Sequence, residues 1–147
     1  MSQVVLDTSV IVAWLLADEP AHRAALALQK DVIERSLEPV LATSTPFEIR
    51  SAMVRAARRV RVSWEVAQAM IAAVDEMELP VSRLRPTDSA LLSICRRYGV
   101  GWGDAIQAAL AHRLGAPLIT ADERLVRALQ RSPVWVESIM DRPLDPA

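Results

Sequence analysis

Four acidic residues of this 147-residue chain stand where a strand would hand the backbone to a helix. Asp7 follows the short apolar run Val4-Val5-Leu6, and Asp122 follows Pro117-Leu118-Ile119-Thr120. Glu48 lies in the first turn after Thr45-Pro46, downstream of Pro39-Val40-Leu41-Ala42, and Asp104 opens a helical stretch behind Gly101-Trp102-Gly103. In an open parallel sheet, residues just past the carboxyl ends of the strands share one edge, where such sheets gather ligands. Four carboxylates crowded there would repel one another and raise their own pKa values unless a cation sat between them. Hard oxygen donors without a Cys or His cluster favour Mg2+ or Mn2+ over Zn2+. An ion held that way lowers the pKa of a water, orients it in line and neutralises charge building on a phosphate. The chemistry expected of Asp7, Glu48, Asp104 and Asp122 is metal-assisted phosphodiester hydrolysis.

Each acid taken alone has a simpler reading. Asp7 and Asp104 are helix-start residues, and Thr45-Pro46-Phe47-Glu48 has the form of a capping box. Thr120-Ala121-Asp122-Glu123 has that form too, with Glu123 as its acid. Only their joint placement favours chemistry, so the elements that carry them decide the matter.

The run Val4-Val5-Leu6 reads as a strand, and Asp7-Thr8-Ser9 can cap a helix from Val10 to Leu16. Pro20 then opens a long amphipathic segment, Ala21 to Leu37. Pro39-Val40-Leu41-Ala42 predicts a second strand, and Thr45-Pro46 starts a helix reaching about Arg59. A further helix is expected from Ser63 to Met77, a third strand at Val81-Ser82-Arg83-Leu84, and a helix from Pro86 that Gly99 should stop. Asp104 to Leu114 predicts a helix closed by Gly115, Pro117 to Thr120 a fourth strand, and Asp122 to Gln130 a helix. Pro133-Val134-Trp135-Val136 could add a fifth strand, leaving the tail from Arg142 as an edge or disordered end. Short apolar strands alternating with helices predict an α/β fold: a mostly parallel sheet covered by helices on both faces.

The length fits one domain, residues 1–147, with no repeat and no linker. Apolar residues make up 52% of the chain, which excludes a disordered scaffold, yet no apolar stretch approaches the roughly 20 residues that cross a bilayer. Neither a membrane nor an exported protein is expected. Cys95, the lone cysteine, sits among Leu91, Leu92 and Ile94 and reads as a small buried hydrophobe in a reducing cytoplasm. His22 and His112 fall inside helical patterns and read as surface or core-edge residues, not ligands. A net charge of −1 selects no partner, but Arg55, Arg58, Arg59 and Arg61 cluster, either as a solvated face or as a phosphate-holding patch. Trp14, Trp64 and Trp135 lie in apolar patterns and are expected in the core, or for Trp14 in a groove for a partner helix.

Four segments, taken in order and spacing, resemble the motifs of PIN-domain proteins of the VapC group. They are Val5-Leu6-Asp7-Thr8-Ser9-Val10, Phe47-Glu48-Ile49-Arg50-Ser51-Ala52, Asp104-Ala105-Ile106-Gln107-Ala108-Ala109-Leu110-Ala111 and Leu118-Ile119-Thr120-Ala121-Asp122. The resemblance covers nearly the whole chain. It implies a three-layer α/β/α sandwich with a central, mostly parallel sheet of four to five strands. It further implies an RNA-cutting pocket in which Asp7, Glu48, Asp104 and Asp122 hold Mg2+ or Mn2+, with Thr8 or Ser9 and Thr120 as hydroxyl neighbours. By the same likeness, some of Arg50, Arg55, Arg58, Arg59 and Arg61 bind RNA backbone, a homodimer is expected, and a VapB-like antitoxin fills the groove. Two features depart from the family pattern: Gln107 stands where an aromatic residue is common, and Gly101-Trp102-Gly103 is an unusual lead-in. Both positions could line the substrate groove, where Trp102 would stack on a splayed base or else serve as a buried plug.

Rival readings fare worse on the residues. A phosphoacceptor receiver module wants an acidic pair before its first helix and a late lysine, whereas the chain's one lysine is Lys30. A haloacid-dehalogenase-like phosphatase needs a second Asp two residues after Asp7, where Ser9 stands. A catalytically silent PIN-like domain that binds RNA or protein would be marked by loss of an acid, and all four are present. An RNA-processing nuclease with no toxin role remains the other alternative.

Overall fold

The computed structural model describes residues 2–144. The chain order is β1 (Ser2–Leu6), α1 (Thr8–Leu15), α2 (His22–Ile33), β2 (Leu37–Val40), α3 (Thr45–Arg58) and α4 (Trp64–Glu76). It continues with α5 (Asp88–Tyr98), α6 (Trp102–Leu114), β3 (Leu118–Thr120), α7 (Glu123–Leu129) and β4 (Val136–Ser138). The four strands form one wholly parallel sheet in the order β2-β1-β3-β4.

Alternation along the strands assigns the layers, because successive side chains leave opposite faces. Val4, Leu6 and Ile119 pack with Val10, Ile11, Trp14, Ala25 and Leu28 from α1 and α2. Val5, Val40 and Leu118 pack on the other side with Ala108, Leu110, Ala111, Leu125 and Leu129 from α6 and α7. Helices on both faces make the expected three-layer sandwich. A smaller cluster, with Leu16, Met53, Ala56, Ala57 and Ala67, joins α3 and α4 to the end of α1. Burying each Leu or Ile contributes about 1.5–3 kcal/mol against roughly 1 kcal/mol for a helix cap, so core packing fixes where the strands end. The acids that follow the strands are placed by that core.

Several expected boundaries shift for local reasons. The helix expected to reach Leu37 stops at Ile33, since Arg35 takes a left-handed conformation (φ 61°) and the Ser36 N–H returns to the Asp31 carbonyl. Strand β2 consequently starts at Leu37 and lies at the sheet edge, where Pro39 is tolerated. The strand expected at Val81-Leu84 is only a single parallel bridge, Leu41 to Val81. Beyond it the Ser82 hydroxyl accepts the Leu84 N–H, bending the chain away from a ladder. Likewise β4 starts at Val136, not Pro133, because Ser132 binds the Leu129 carbonyl and the Val134 N–H and holds that stretch as a turn.

Three tryptophans and the cysteine divide differently from expectation. Trp14 is buried, whereas Trp64 and Trp135 are 57% and 58% exposed, so they are not core residues. Cys95 is only partly buried. The tail expected from Arg142 is described to residue 144, and the remainder lies outside the described residues. Among the described residues no helix is long and apolar enough to cross a membrane.

Candidate active site

The sheet order puts a topological switch at β1 and β3: the chain leaves β1 toward β2 on one side and returns to β3 on the other. A crevice opens outside the carboxyl ends of two such strands. Asp7 stands at the end of β1 and Asp122 two residues past β3, so the two flank it. The N-terminal turns of α3 and α6 bring Glu48 and Asp104 to the same place. All four carboxylates line one cleft of about 600 Å³, together with Thr8, Ser9, Phe47, Ser51, Arg55, Arg59 and Arg61. A second cavity of about 410 Å³, near Ala90, Ile94 and Leu110, has no carboxylate in its wall.

Asp7 occupies the position before α1 but makes no side-chain cap. It is 5% exposed, and a carboxylate that deep needs donors. Two hydroxyls supply them: Thr120 Oγ1 donates to Asp7 Oδ2 at 2.7 Å and Ser9 Oγ to the same oxygen at 2.5 Å. Backbone N–H groups lock the hydroxyls in turn, Ala121 onto Ser9 at 2.9 Å and Asp122 onto Thr120 at 3.0 Å. Thr120 is fully buried, so it orients Asp7 and does not face a substrate.

The capping box expected at Glu48 does not form. Thr45 is the first helical residue, with its hydroxyl buried and unpaired, and Ser44 makes no cap bond. Glu48 itself keeps a buried Oε1 without a hydrogen-bond partner among the described residues. Asp122, by contrast, does cap: its Oδ1 accepts the backbone N–H groups of Arg124 and Leu125 at 2.9 and 3.4 Å. Glu123 is not the acid of that cap, since its Oε1 accepts the Ser138 hydroxyl at 2.6 Å.

Asp104 registers the crowding. Burial, followed by the charges of Asp7, Asp122 and Glu48, pushes its pKa up to about 6, against the opposing pull of the Gly101 backbone. Among the described residues no three His, Cys, Asp or Glu side chains stand close enough to enclose an ion as they are. The donor set still fits a hard cation, because its lining offers carboxylates and hydroxyls but neither His nor Cys, and one Glu48 oxygen lacks any partner. Asp7, Glu48, Asp104 and Asp122 are the side chains able to hold it.

The remaining candidates separate. Thr8 and Ser9 line the cleft. Arg50 does not; it makes a two-pronged bond to Asp75 on α4 at 3.1 and 2.8 Å and a third to the Pro46 carbonyl. Arg61 lines the cleft but is committed to Asp18 and Glu19, which hold its pKa above the usual range. Arg55 and Arg59 line it without an ion pair among the described residues. Trp102, the first residue of α6, is 44% exposed and so is no buried plug, while Gln107 is fully buried and cannot line a substrate groove. His22 is partly buried and binds the Ala13 carbonyl through Nδ1 at 2.6 Å, tying α2 to α1. Phe47, 74% exposed on the cleft wall, was no candidate in the sequence, where it reads as one more apolar residue of a helix start.

No curated protein matches the chain. Among solved structures, PAE2754 from Pyrobaculum aerophilum aligns with a TM-score of 0.71 at 22% identity, over 95% of this chain and 90% of that one. VapBC-1 from nontypeable Haemophilus influenzae aligns with a TM-score of 0.55 at 19% identity, over 95% of this chain and 99% of that one. At those identities the likeness is one of fold. The family model for the PIN domain matches residues 4–129, and the chain belongs to that family.

Proposed function

We propose that the chain is a Mg2+- or Mn2+-dependent endoribonuclease and the toxin half of a toxin–antitoxin pair, with Asp7, Glu48, Asp104 and Asp122 as its metal-holding acids. The observation that carries this reading is the convergence of Asp7, Glu48, Asp104 and Asp122 on one cleft, where burial and the other three carboxylates raise the pKa of Asp104 to about 6. That arrangement costs free energy in the bare protein and is relieved by a cation. PIN domains are generally nucleases, which agrees with it. A divalent ion supplies Lewis acidity toward a phosphate and acidifies a water. The chain's own residues do the rest. Ser9 and Thr120 hold Asp7 in one orientation, and the buried, unpaired Glu48 Oε1 awaits a positive partner. Arg55 and Arg59 offer guanidinium groups to flanking phosphates, and exposed Phe47 and Trp102 offer faces to unstacked bases.

The toxin role is carried over by analogy with VapBC-1, whose fold the chain shares, and on that analogy the partners proposed are a VapB-like antitoxin and a second copy of this chain, in the cytoplasm. The deciding experiment is cleavage of a mixed single-stranded and structured RNA pool by purified protein with Mg2+ or Mn2+. EDTA controls and the Asp7→Asn and Asp104→Asn variants run alongside. Metal-dependent cutting lost in both variants supports the assignment. Cutting that survives both places the activity elsewhere, and no cutting by folded protein on any RNA favours a silent binding domain.

A further inference from the structure

Of the four glycines, Gly103 alone has other atoms packed against the place a side chain would take. A Cβ built there meets Glu48 Oε1 at 3.0 Å and Glu48 Cδ and Oε2 at 3.2 Å each, whereas Gly99, Gly101 and Gly115 meet nothing within 4 Å. Gly99 and Gly115 end α5 and α6 in left-handed conformations that explain them. Gly103 has no such reason: it lies in the first turn of α6 without a positive φ. Alanine would suit that helical backbone better than glycine. What glycine provides there is room for the Glu48 carboxylate.

We propose that Gly103 is a positioning residue: its missing side chain lets the Glu48 carboxylate lie against the first turn of α6, next to Asp104. The inference rests on the reading of Glu48 as a metal ligand and names what sets its place. Contacts of 3.0–3.2 Å are tighter than a carbon and a carboxylate oxygen ordinarily keep, so one of the two groups must give by a few tenths of an ångström. The α6 backbone is held by its own hydrogen bonds and by Ala105 and Ala108 in the core, so the side chain moves. Glu48 Oε1 has no hydrogen bond to resist the shift. A methyl group at position 103 would therefore push the carboxylate a few tenths of an ångström from its place beside α6 while the fold persists.

Two readouts test this, one of them free of metal. Mn2+ affinity, measured by calorimetric titration of the whole chain, is expected to fall at least tenfold in Gly103→Ala. In EDTA, thermal melting of Gly103→Ala, Glu48→Ala and the double variant forms a cycle. With Glu48 removed, Gly103→Ala should raise the melting temperature by about 2 °C, the gain due a better helix former. With Glu48 present, that gain should be smaller, because the methyl must displace a packed carboxylate. Equal gains in both backgrounds, or Mn2+ affinity of Gly103→Ala within twofold of the parent, overturns the proposal. A parent that binds no Mn2+ sinks the metal-centre reading and this proposal with it. A parent that binds while Gly103→Ala binds equally well sinks this proposal alone.

Discussion

Thr120 donates its hydroxyl to Asp7 at 2.7 Å across 113 positions of sequence, joining the carboxyl ends of the two central strands. Both residues are buried, so the bond is charge-assisted and shielded from water. It keeps Asp7 from capping α1 and turns the carboxylate to the cleft. Thr120→Val preserves shape and removes the donor. The expected loss is about 1.5–3 kcal/mol of stability, read by urea denaturation, with a fall in nuclease activity larger than the unfolded fraction explains. Unchanged stability and activity would deny Thr120 its orienting role.

Asp104 should make the bare protein less stable as pH rises. Its folded pKa of about 6 lies above the ordinary 3.8, so between those values the native state holds more protons than the unfolded chain. Stability contributed by that proton is present at acid pH and lost as pH climbs through about 6. Asp104→Asn removes the charge at every pH. In EDTA at neutral pH the variant is expected to be the more stable by on the order of 1 kcal/mol, after discounting for partial exposure. The difference should shrink toward pH 4. Melting curves of both proteins across that range check it, and a parent that is the more stable at neutral pH would contradict it.

The layered fold and the convergence of the acids were legible because both follow from periodicity and from residues next to strand ends. The roles of individual polar groups were not. Thr120-Ala121-Asp122-Glu123 matches a capping box, yet only Asp122 caps, and Thr120 and Glu123 serve partners 113 and 15 residues away. Local pattern cannot reveal a competitor supplied by the tertiary fold. Arg50 fails as a cleft residue for the same reason, since Asp75 on the next helix claims it. The strand expected at Val81 was lost to a turn that Ser82 makes with its own neighbour. Gly103 was visible only as an odd lead-in, because its reason is the side chain of Glu48, far earlier in the sequence.

Arg55 and Arg59 line the cleft with no ion pair among the described residues, whereas Arg50 is held by Asp75, so the three should separate in RNA binding. Each arginine that touches a phosphate releases counterions, and its loss lowers the salt dependence of affinity by about one unit of slope. Arg55→Ala and Arg59→Ala are expected to weaken binding of single-stranded RNA and flatten that slope. Arg50→Ala breaks an exposed ion pair worth about 0.2–1 kcal/mol and should leave the slope intact. Filter binding at several salt concentrations, in EDTA so that no metal-dependent cutting intervenes, distinguishes them. Equal slopes for all three variants would remove Arg55 and Arg59 from the RNA path.

On the proposed reading divalent metal binds the folded acids and not the unfolded chain, so it should raise the melting temperature. At a free ion concentration 100 times the dissociation constant the gain is about 2.7 kcal/mol, or roughly 5–10 °C for a chain of this size. The gain must depend on pH, since a protonated Asp104 cannot ligate a cation and its pKa is about 6 in the bare protein. Mn2+ stabilisation is accordingly expected to be large at pH 7.5, smaller at pH 5.5, and nearly absent in Asp7→Asn at both. Scanning calorimetry with and without EDTA measures all of these. A gain that ignores pH and survives Asp7→Asn would locate the ion away from the four acids, and with it the chemistry assigned to them.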